Sequence, residues 1–425
     1  VPTLDELQRP RGMARLLNAA KAEEPQSAVG SQVVGAAASL LPKSRQAEVT
    51  PANPPTQAAS GPTYPDPPRS ITDDECQRNL NNALFWAKSR FAMCGAMQFL
   101  QVWGDNGKPV GESGFALTVL GTIPDPQDRT VRFNYHFSHF SASGETKTSE
   151  LTVKTEVDKR VLISHAKDRE GGSIPPTVSF DALEREPSYT HTVVFDAGQG
   201  TKPDDLITMA YVPYLSVKYP PQYVVGTVPG PQRVTFAGMN WDAAPYLANA
   251  KASDPKKRGG AAFTIMPTLV YSSQQGSPEK AVADHLLLAH TKPGATKPPN
   301  PHKNVPGFDY NHPLHRLFYD TKRRRKNRSQ AISVCVKYWG KDYAKSDPSG
   351  PRECDEYPFA STYEGAAQSI YEPSAPKDNF SAMALAKADN GAAGTILSLF
   401  MDKNRIIQGR DANGQELDAF IVAIS

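Results

Sequence analysis

Between residues 98 and 273 apolar positions recur every second residue, a rhythm the flanking segments do not share. The runs VRFNYHFSHF (131–140), SELTVKTEV (149–157), KRVLISHA (159–166), YTHTVVFDA (189–197), ITMAYVPYLSV (207–217) and QRVTFAGM (232–239) alternate apolar with polar side chains. That is the pattern of strands with one face on a core. Breaks such as PDPQD, EGGS and GQGTKP separate the runs, so the stretch predicts an antiparallel sandwich or barrel. His136 and His139 lie three apart in one of these strands and point to opposite faces, which makes them a poor metal pair.

Upstream, residues 71–97 place Leu80, Leu84, Trp86, Ala87, Phe91 and Cys94 at mostly helical spacing, with Thr72 and Glu75 in the form of a capping box. An amphipathic helix is predicted there. Residues 4–23 carry a weaker helical pattern interrupted by Pro10 and Gly12, and the following stretch is rich in Ala, Pro, Ser and Gln with few aromatics. Such a composition buries too little apolar surface to offset the entropy of ordering. Residues 1–70 are therefore predicted to be a flexible segment, with a clipped propeptide as the alternative. Beyond the strands, EKAVADHLLLAH (279–290) predicts a short helix and TKPGATKPPNPHKNVP (291–306) a stiff proline-rich linker. The expected organisation is multi-domain: a flexible segment (1–70), an all-β middle domain with an N-terminal helix (71–290), a linker (291–308) and a small α+β domain (309–425). In the last domain, helices are expected around a basic stretch and at 392–404, and strands at 332–338 and at the terminus.

Composition sharpens this division. With 425 residues and 39% hydrophobic content the chain can bury two or three cores, and 38 prolines against 30 glycines favour loops and edge strands over long helices. The net charge of +3 is too small to identify a partner, but its distribution is uneven. From residue 291 to 354 there are fourteen Lys and Arg against five Asp and Glu, six of the basic residues being Lys322, Arg323, Arg324, Arg325, Lys326 and Arg328. A polyanion would be attracted there; a solvated helix face is the competing reading. No run of eighteen apolar residues exists, which excludes a spanning helix. The first residues, VPTLDELQRP, lack the pattern of a secretory signal, and a first residue other than Met favours a signal already removed. Cys76, Cys94, Cys335 and Cys354 allow three connectivities. Each neighbouring pair falls within one predicted domain, which favours local bridging.

The densest chemistry lies at residues 354–365, CDEYPFASTYEG, where Asp355, Glu356 and Glu364 crowd around a proline and two aromatics. Like charges held close raise one another's pKa, so such a group suits a hard cation or a proton in transit; a solvated acidic turn is the alternative. The words CDEYPFAST followed by Glu364 and Gly365 resemble the signature of the NucA/NucB-type deoxyribonucleases, secreted bacterial nucleases. A second block, DNGAAGT at 389–395, resembles that family's Asp-Asn-Arg-x-Ala-Gly-Ser block, and residues 419–424 resemble its closing strand. The resemblance covers residues 309–425 and implies a small α+β nuclease domain, DNA as substrate, functional acids in the 354–365 block and an oxidising, extracellular setting in which the cysteines form disulfides. Two positions depart from the family pattern: Gly391 stands in place of Arg, and Ala366 in place of Gly.

Phosphodiester hydrolysis needs a positioned water, stabilisation of charge on phosphorus and help for the leaving oxygen, and a divalent cation held by carboxylates supplies the first two. Asp355, Glu356 and Glu364 are the candidate catalytic acids; Asp355, Glu356 and Asp389 are the candidate ligands of a divalent cation, Mg2+ or Mn2+. Candidate phosphate contacts are Arg323, Arg324, Arg325, Lys326, Arg328, Asn390 and Arg405. His312 and His315 are considered as general acids, although the proline between them argues against one helix face. A cysteine nucleophile is disfavoured because pairing would remove the thiolates. The reading is a secreted, metal-assisted DNA endonuclease. A secreted binding protein that grips nucleic acid without cutting it, or a DNase toxin delivered to competitors, are the alternatives.

Overall fold

The alternating stretch folds into two six-stranded antiparallel sheets in a computed structural model that describes residues 61–80, 85–223, 232–234, 236–345 and 350–425. The expected flexible segment falls mostly at residues 1–60, outside the described residues, as does Leu84.

The first unit comprises Pro68–Ala243 and Asn249–Thr264. It opens with helix α1 (Asp73–Leu80), whose Thr72 and Glu75 exchange the expected pair of capping hydrogen bonds, Glu75 N to Thr72 Oγ1 at 3.2 Å and Thr72 N to Glu75 Oε2 at 3.0 Å. The predicted helix to residue 97 is not formed. The chain turns instead into β1 (Trp86–Ser89) and β2 (Ala92–Asp105), and β2 pairs along its length with β3 (Lys108–Thr122). Asn106 and Gly107, at φ 45° and 78°, make the tight turn between them, a turn that suits the twist of a hairpin. A long ladder of cross-strand pairs outweighs a helical spacing that only part of 71–97 obeys. The disulfide Cys76–Cys94 then ties α1 to β2.

The first sheet continues through β4 (Thr130–Gly144), then β5 (Thr152–Val161) begins the second sheet; runs 149–157 and 159–166 supply one strand between them rather than two. The remaining elements are β6 (Asp168–Gly172), β7 (Val178–Ser179), helix α2 (Phe180–Arg185), β8 (Ser188–Phe195), β9 (Ile207–Lys218), β10 (Gln232–Arg233), β11 (Met239–Asp242) and β12 (Gly260–Phe263). The sheet orders are β1-β2-β3-β4-β8-β6 and β12-β11-β9-β5-β7, with β10 also on β9. Their inner faces meet through Phe133 stacked on Tyr211, the Tyr135–Tyr211 hydroxyl bond and Phe195 against Trp241, so the expected sandwich is formed. His136 and His139 sit on β4 and bond Ser188 and Ser138.

The second unit contains Ile265–Ser425 together with residues 244–248 and the described part of 48–67. It begins with β13 (Thr268–Tyr271) and helix α3 (Lys280–Thr291), upstream of the expected boundary. β13 pairs in parallel with the terminal strand β16 (Ile421–Ile424). Val282, Ala283, Leu286 and Ala289 of α3 share one buried core with Leu314, Tyr357, Phe400 and Phe420. Each large apolar side chain so buried contributes roughly 1.5–3 kcal/mol, which commits α3 to this unit. The proline-rich stretch is packed rather than a free spacer: Thr296, Lys303 and Val305 are buried, and Lys303 Nζ donates to Thr296 Oγ1 at 2.9 Å and to the Pro298 carbonyl at 2.6 Å. Tyr64 packs edge-on against Phe400.

Helix α4 (Thr321–Trp339) follows, with Asp320 as its N-cap and Gly340, at φ 85°, closing it. The strand expected at 332–338 is the second half of this helix. The reason is visible in its burial: Arg323, Asn327, Ala331 and Cys335, four apart, form one inward stripe, and the β-branched Ile332 and Val336 point outward. Strand β14 (Arg352–Tyr357), the short helix α5 (Gln368–Tyr371), strand β15 (Ser381–Ala386) and helix α6 (Lys387–Lys403) complete the unit. β14 and β15 form a two-stranded antiparallel sheet, so the expected α+β class holds.

Candidate active site

Successive residues of β14 alternate between the two faces of its sheet. Glu353, Asp355 and Tyr357 share one face and Arg352, Cys354 and Glu356 the other. The second face meets α4, to which the Cys335–Cys354 disulfide fastens it. The first face meets α3, where His285 Nδ1 lies 2.6 Å from Asp355 Oδ2 and His285 Nε2 lies 2.6 Å from Ser381 Oγ. Both acids are 6% exposed.

Glu356 accepts from Arg328 Nη1 at 3.0 and 3.2 Å. Burial pushes its carboxyl up to about 7; the Arg328 guanidinium opposes that rise, and the neighbouring Asp355 adds to it. Arg328 is half exposed, so its pull is weakened by solvent.

Among the described residues, β14 pairs only with β15, and a groove of about 600 Å3 runs beside it. Arg324, Arg325 and Arg328 line one wall from α4; Asn390, Gly394 and Leu397 line another from α6; Phe359 and Ser361 come from the intervening loop. Asp355 and Glu356 both line this groove, although they belong to opposite faces of the sheet. The loop is pinned to α4 by Asn327, which donates to the carbonyls of Ala360 and Thr362 at 3.0 Å and accepts from Ala367 N at 2.9 Å. A Cβ on Gly365 would stand 2.4–2.6 Å from the Asn327 side chain, so the residue after Glu364 has no room for a side chain.

Several expected site residues stand elsewhere. Arg323 lies on the buried stripe of α4 and donates to Glu372 Oε1 at 2.6 Å and to the Tyr363 carbonyl. Lys326 is exposed and is not among the residues lining the groove. A helix turning 100° per residue splits a basic run that reads as one patch in sequence. Arg405 is buried, at φ 50°, and donates to the Ala248 carbonyl at 3.0 Å. Glu364 does not line the groove with Asp355 and Glu356: its oxygens accept from His315 N and Nδ1, and from Arg410 Nη2, all at 2.9 Å. Burial alone would depress His315, but Glu364 and Glu416 outweigh it and push the imidazole up to about 9. His312 is exposed and pairs with Asp309.

The expected ligand set of Asp355, Glu356 and Asp389 does not assemble. Asp389 accepts from Ala281 N at 3.4 Å, at the start of α3, and among the described residues no three His, Cys, Asp or Glu side chains are arranged to hold a metal ion. The groove offers a smaller set, Asp355 and Asn390, the latter's amide oriented by donation to Glu353 Oε2 at 3.0 Å, while Glu356 is engaged by Arg328. A carboxylate and an amide oxygen fit a hard cation that keeps several waters and takes further oxygens from a phosphate. The Gly391 position is open space.

Sequence reasoning passed over His285, Asn327 and Ser381. The first left a signal: in EKAVADHLLLAH it falls on the same helical face as Val282, Ala283, Leu286 and Ala289, a polar residue inside an apolar stripe. The groove thus sets three arginines of α4 beside two buried acids. Residues 308–412 match the family model of the Deoxyribonuclease NucA/NucB family. The match covers about a quarter of the chain, lies wholly in the second unit and stops short of β13 and α3. No curated protein and no solved structure matches the chain.

Proposed function

We propose that the second unit is a DNA endonuclease that hydrolyses phosphodiester bonds in the groove beside β14. Arg324, Arg325 and Arg328 receive the phosphodiester, with Ser361 of the intervening loop lining the same groove. Glu356 is the general base. A base works best when its pKa lies near the operating pH, and burial holds this carboxyl at about 7. As a phosphate draws Arg328 toward itself, Glu356 loses its counter-charge and becomes more basic at the step that needs it. It takes a proton from a water whose oxygen attacks phosphorus; the bond to the leaving sugar oxygen breaks, and that oxygen is protonated from solvent. Asp355 and Asn390 would hold a divalent cation, Mg2+ or Mn2+, which when bound draws off charge from the phosphate and lowers the pKa of water.

The setting proposed is extracellular. Two disulfides, one in each unit, are at home in an oxidising compartment.

The observation that carries the reading is the pairing of buried Glu356 with Arg328 in an arginine-walled groove within the family-matched segment. Supercoiled plasmid nicking tests it. Cleavage is expected with Mg2+ or Mn2+ and lost in EDTA, and Glu356→Gln is expected to slow it about 100- to 10,000-fold. Asp355→Asn should also lose activity. Full activity in both variants sinks the assignment, and salt-sensitive DNA binding without cleavage under several divalent ions selects a binding module instead.

A further inference from the structure

We infer that His285, on a helix outside the family-matched segment, is a positioning residue that fixes Asp355 for the reaction. The inference rests on the nuclease reading of the same groove. A carboxylate only accepts, so the Nδ1 hydrogen of His285 points to Asp355 Oδ2 across 2.6 Å, and Ser381 Oγ closes the chain at Nε2, also 2.6 Å away. The His285 side chain is fully buried and Asp355 nearly so. A ring held at both nitrogens cannot turn, and its bond to Oδ2 removes the rotation of the Asp355 carboxyl about its last torsion. Oδ2 is thereby committed to His285 in a residue that lines the groove.

Ser381 has no exposed surface and is not among the residues lining the groove, so the Asp-His-Ser chain offers no nucleophile. It terminates on Asp355, its one groove-lining member. The helix that carries His285 is itself anchored twice. Val282, Ala283, Leu286 and Ala289 lock it in the core, and Asp389, in the first turn of α6, accepts from Ala281 N. An imidazole on that apolar face has two ring nitrogens to satisfy, and both are satisfied by residues of the sheet that bears the acids.

Removing such an orienting partner typically costs about 10- to 100-fold in activity. In the full chain, His285→Leu is therefore expected to lower kcat for a fluorescent oligonucleotide by that factor while KM, set by the arginine wall, changes little. Asn at this position retains an N–H donor near the place of Nδ1, so His285→Asn should recover most of the loss. His285→Gln, which reaches toward the place of Nε2, should not. A second readout is independent of turnover: the hydrogen-bonded Nδ1 proton of His285, observed by nuclear magnetic resonance in protein with labelled histidine, should shift in Asp355→Asn. Wild-type kcat in His285→Leu overturns the inference. So does equal activity of the Asn and Gln variants, which also decides the matter if the Leu variant fails to fold, and so does an Nδ1 proton indifferent to Asp355→Asn. An inactive wild type under every divalent ion overturns the nuclease reading instead, and the resonance experiment still reports whether His285 holds Asp355.

Discussion

Glu356→Gln is expected to stabilise the second unit while it removes cleavage. The carboxyl is 6% exposed, and burial lifts it from 4.5 to about 7 against the opposing Arg328. An acid whose folded-state pKa is raised is disfavoured by folding when ionised. Wild-type stability from this group is thus intact below pH 4.5 and falls as pH rises through 7. At about 1.36 kcal/mol per tenfold change in proton affinity the full cost is about 3 kcal/mol, most of it appearing between pH 5 and pH 8. Glutamine has nearly the shape of the protonated acid and cannot ionise. The difference between variant and wild type should be small at pH 5 and near this figure at pH 8. For a unit of this size that corresponds to roughly 5–10 °C in unfolding temperature. Calorimetry of the full chain in EDTA, at pH 5, 6.5 and 8, reads it directly. A variant that melts no higher than wild type at pH 8 would refute the claim that burial strains this carboxylate. Gain of stability with loss of activity is the expected trade at a catalytic group.

Three further outcomes are expected. His315, raised to about 9, contributes stability that is complete below pH 6.5 and lost as pH rises through 9; in the Glu356→Gln background the unfolding temperature should still fall across that window, and a flat profile would contradict the pairing with Glu364 and Glu416. Gly365→Ala places a methyl against Asn327 and should destabilise the second unit by about 1–3 kcal/mol, measured by urea unfolding; an unchanged midpoint would show that the loop has room to move. A fragment beginning at residue 308 lacks β13 and α3 and leaves the core around Phe400 and Phe420 open, so it should show poorly dispersed amide resonances and bind a hydrophobic dye, whereas one beginning at 265 should not.

The sandwich was legible because alternation over six runs is a local signal that the sheets merely register. The acids were legible as a cluster, and the basic run as a concentration of charge, three of whose arginines line the groove. What the linear pattern could not carry was which neighbours face each other. Arg323 and Arg324 are adjacent in sequence, yet one is buried against Glu372 and the other lines the groove. Glu364 reads as a third member of the acid cluster, but a loop pinned by Asn327 takes it to His315 and Arg410. Residues 332–338 alternate as a strand does, and only the disulfide partner at Cys354 and the inward stripe of α4 reveal why they stay helical. The prolines of 291–306 suggest a spacer because proline is common in spacers, while the packing of Lys303 and Val305 depends on chain distant in sequence.

Asp355 and Glu356 are peptide neighbours that answer to different helices. Changes on α3 reach the first and changes on α4 the second, although each acid still feels the other's charge. The acidity of one and the orientation of the other can therefore be altered separately, by substitutions that never touch either acid. A single-residue insertion in β14 would exchange their environments at one stroke.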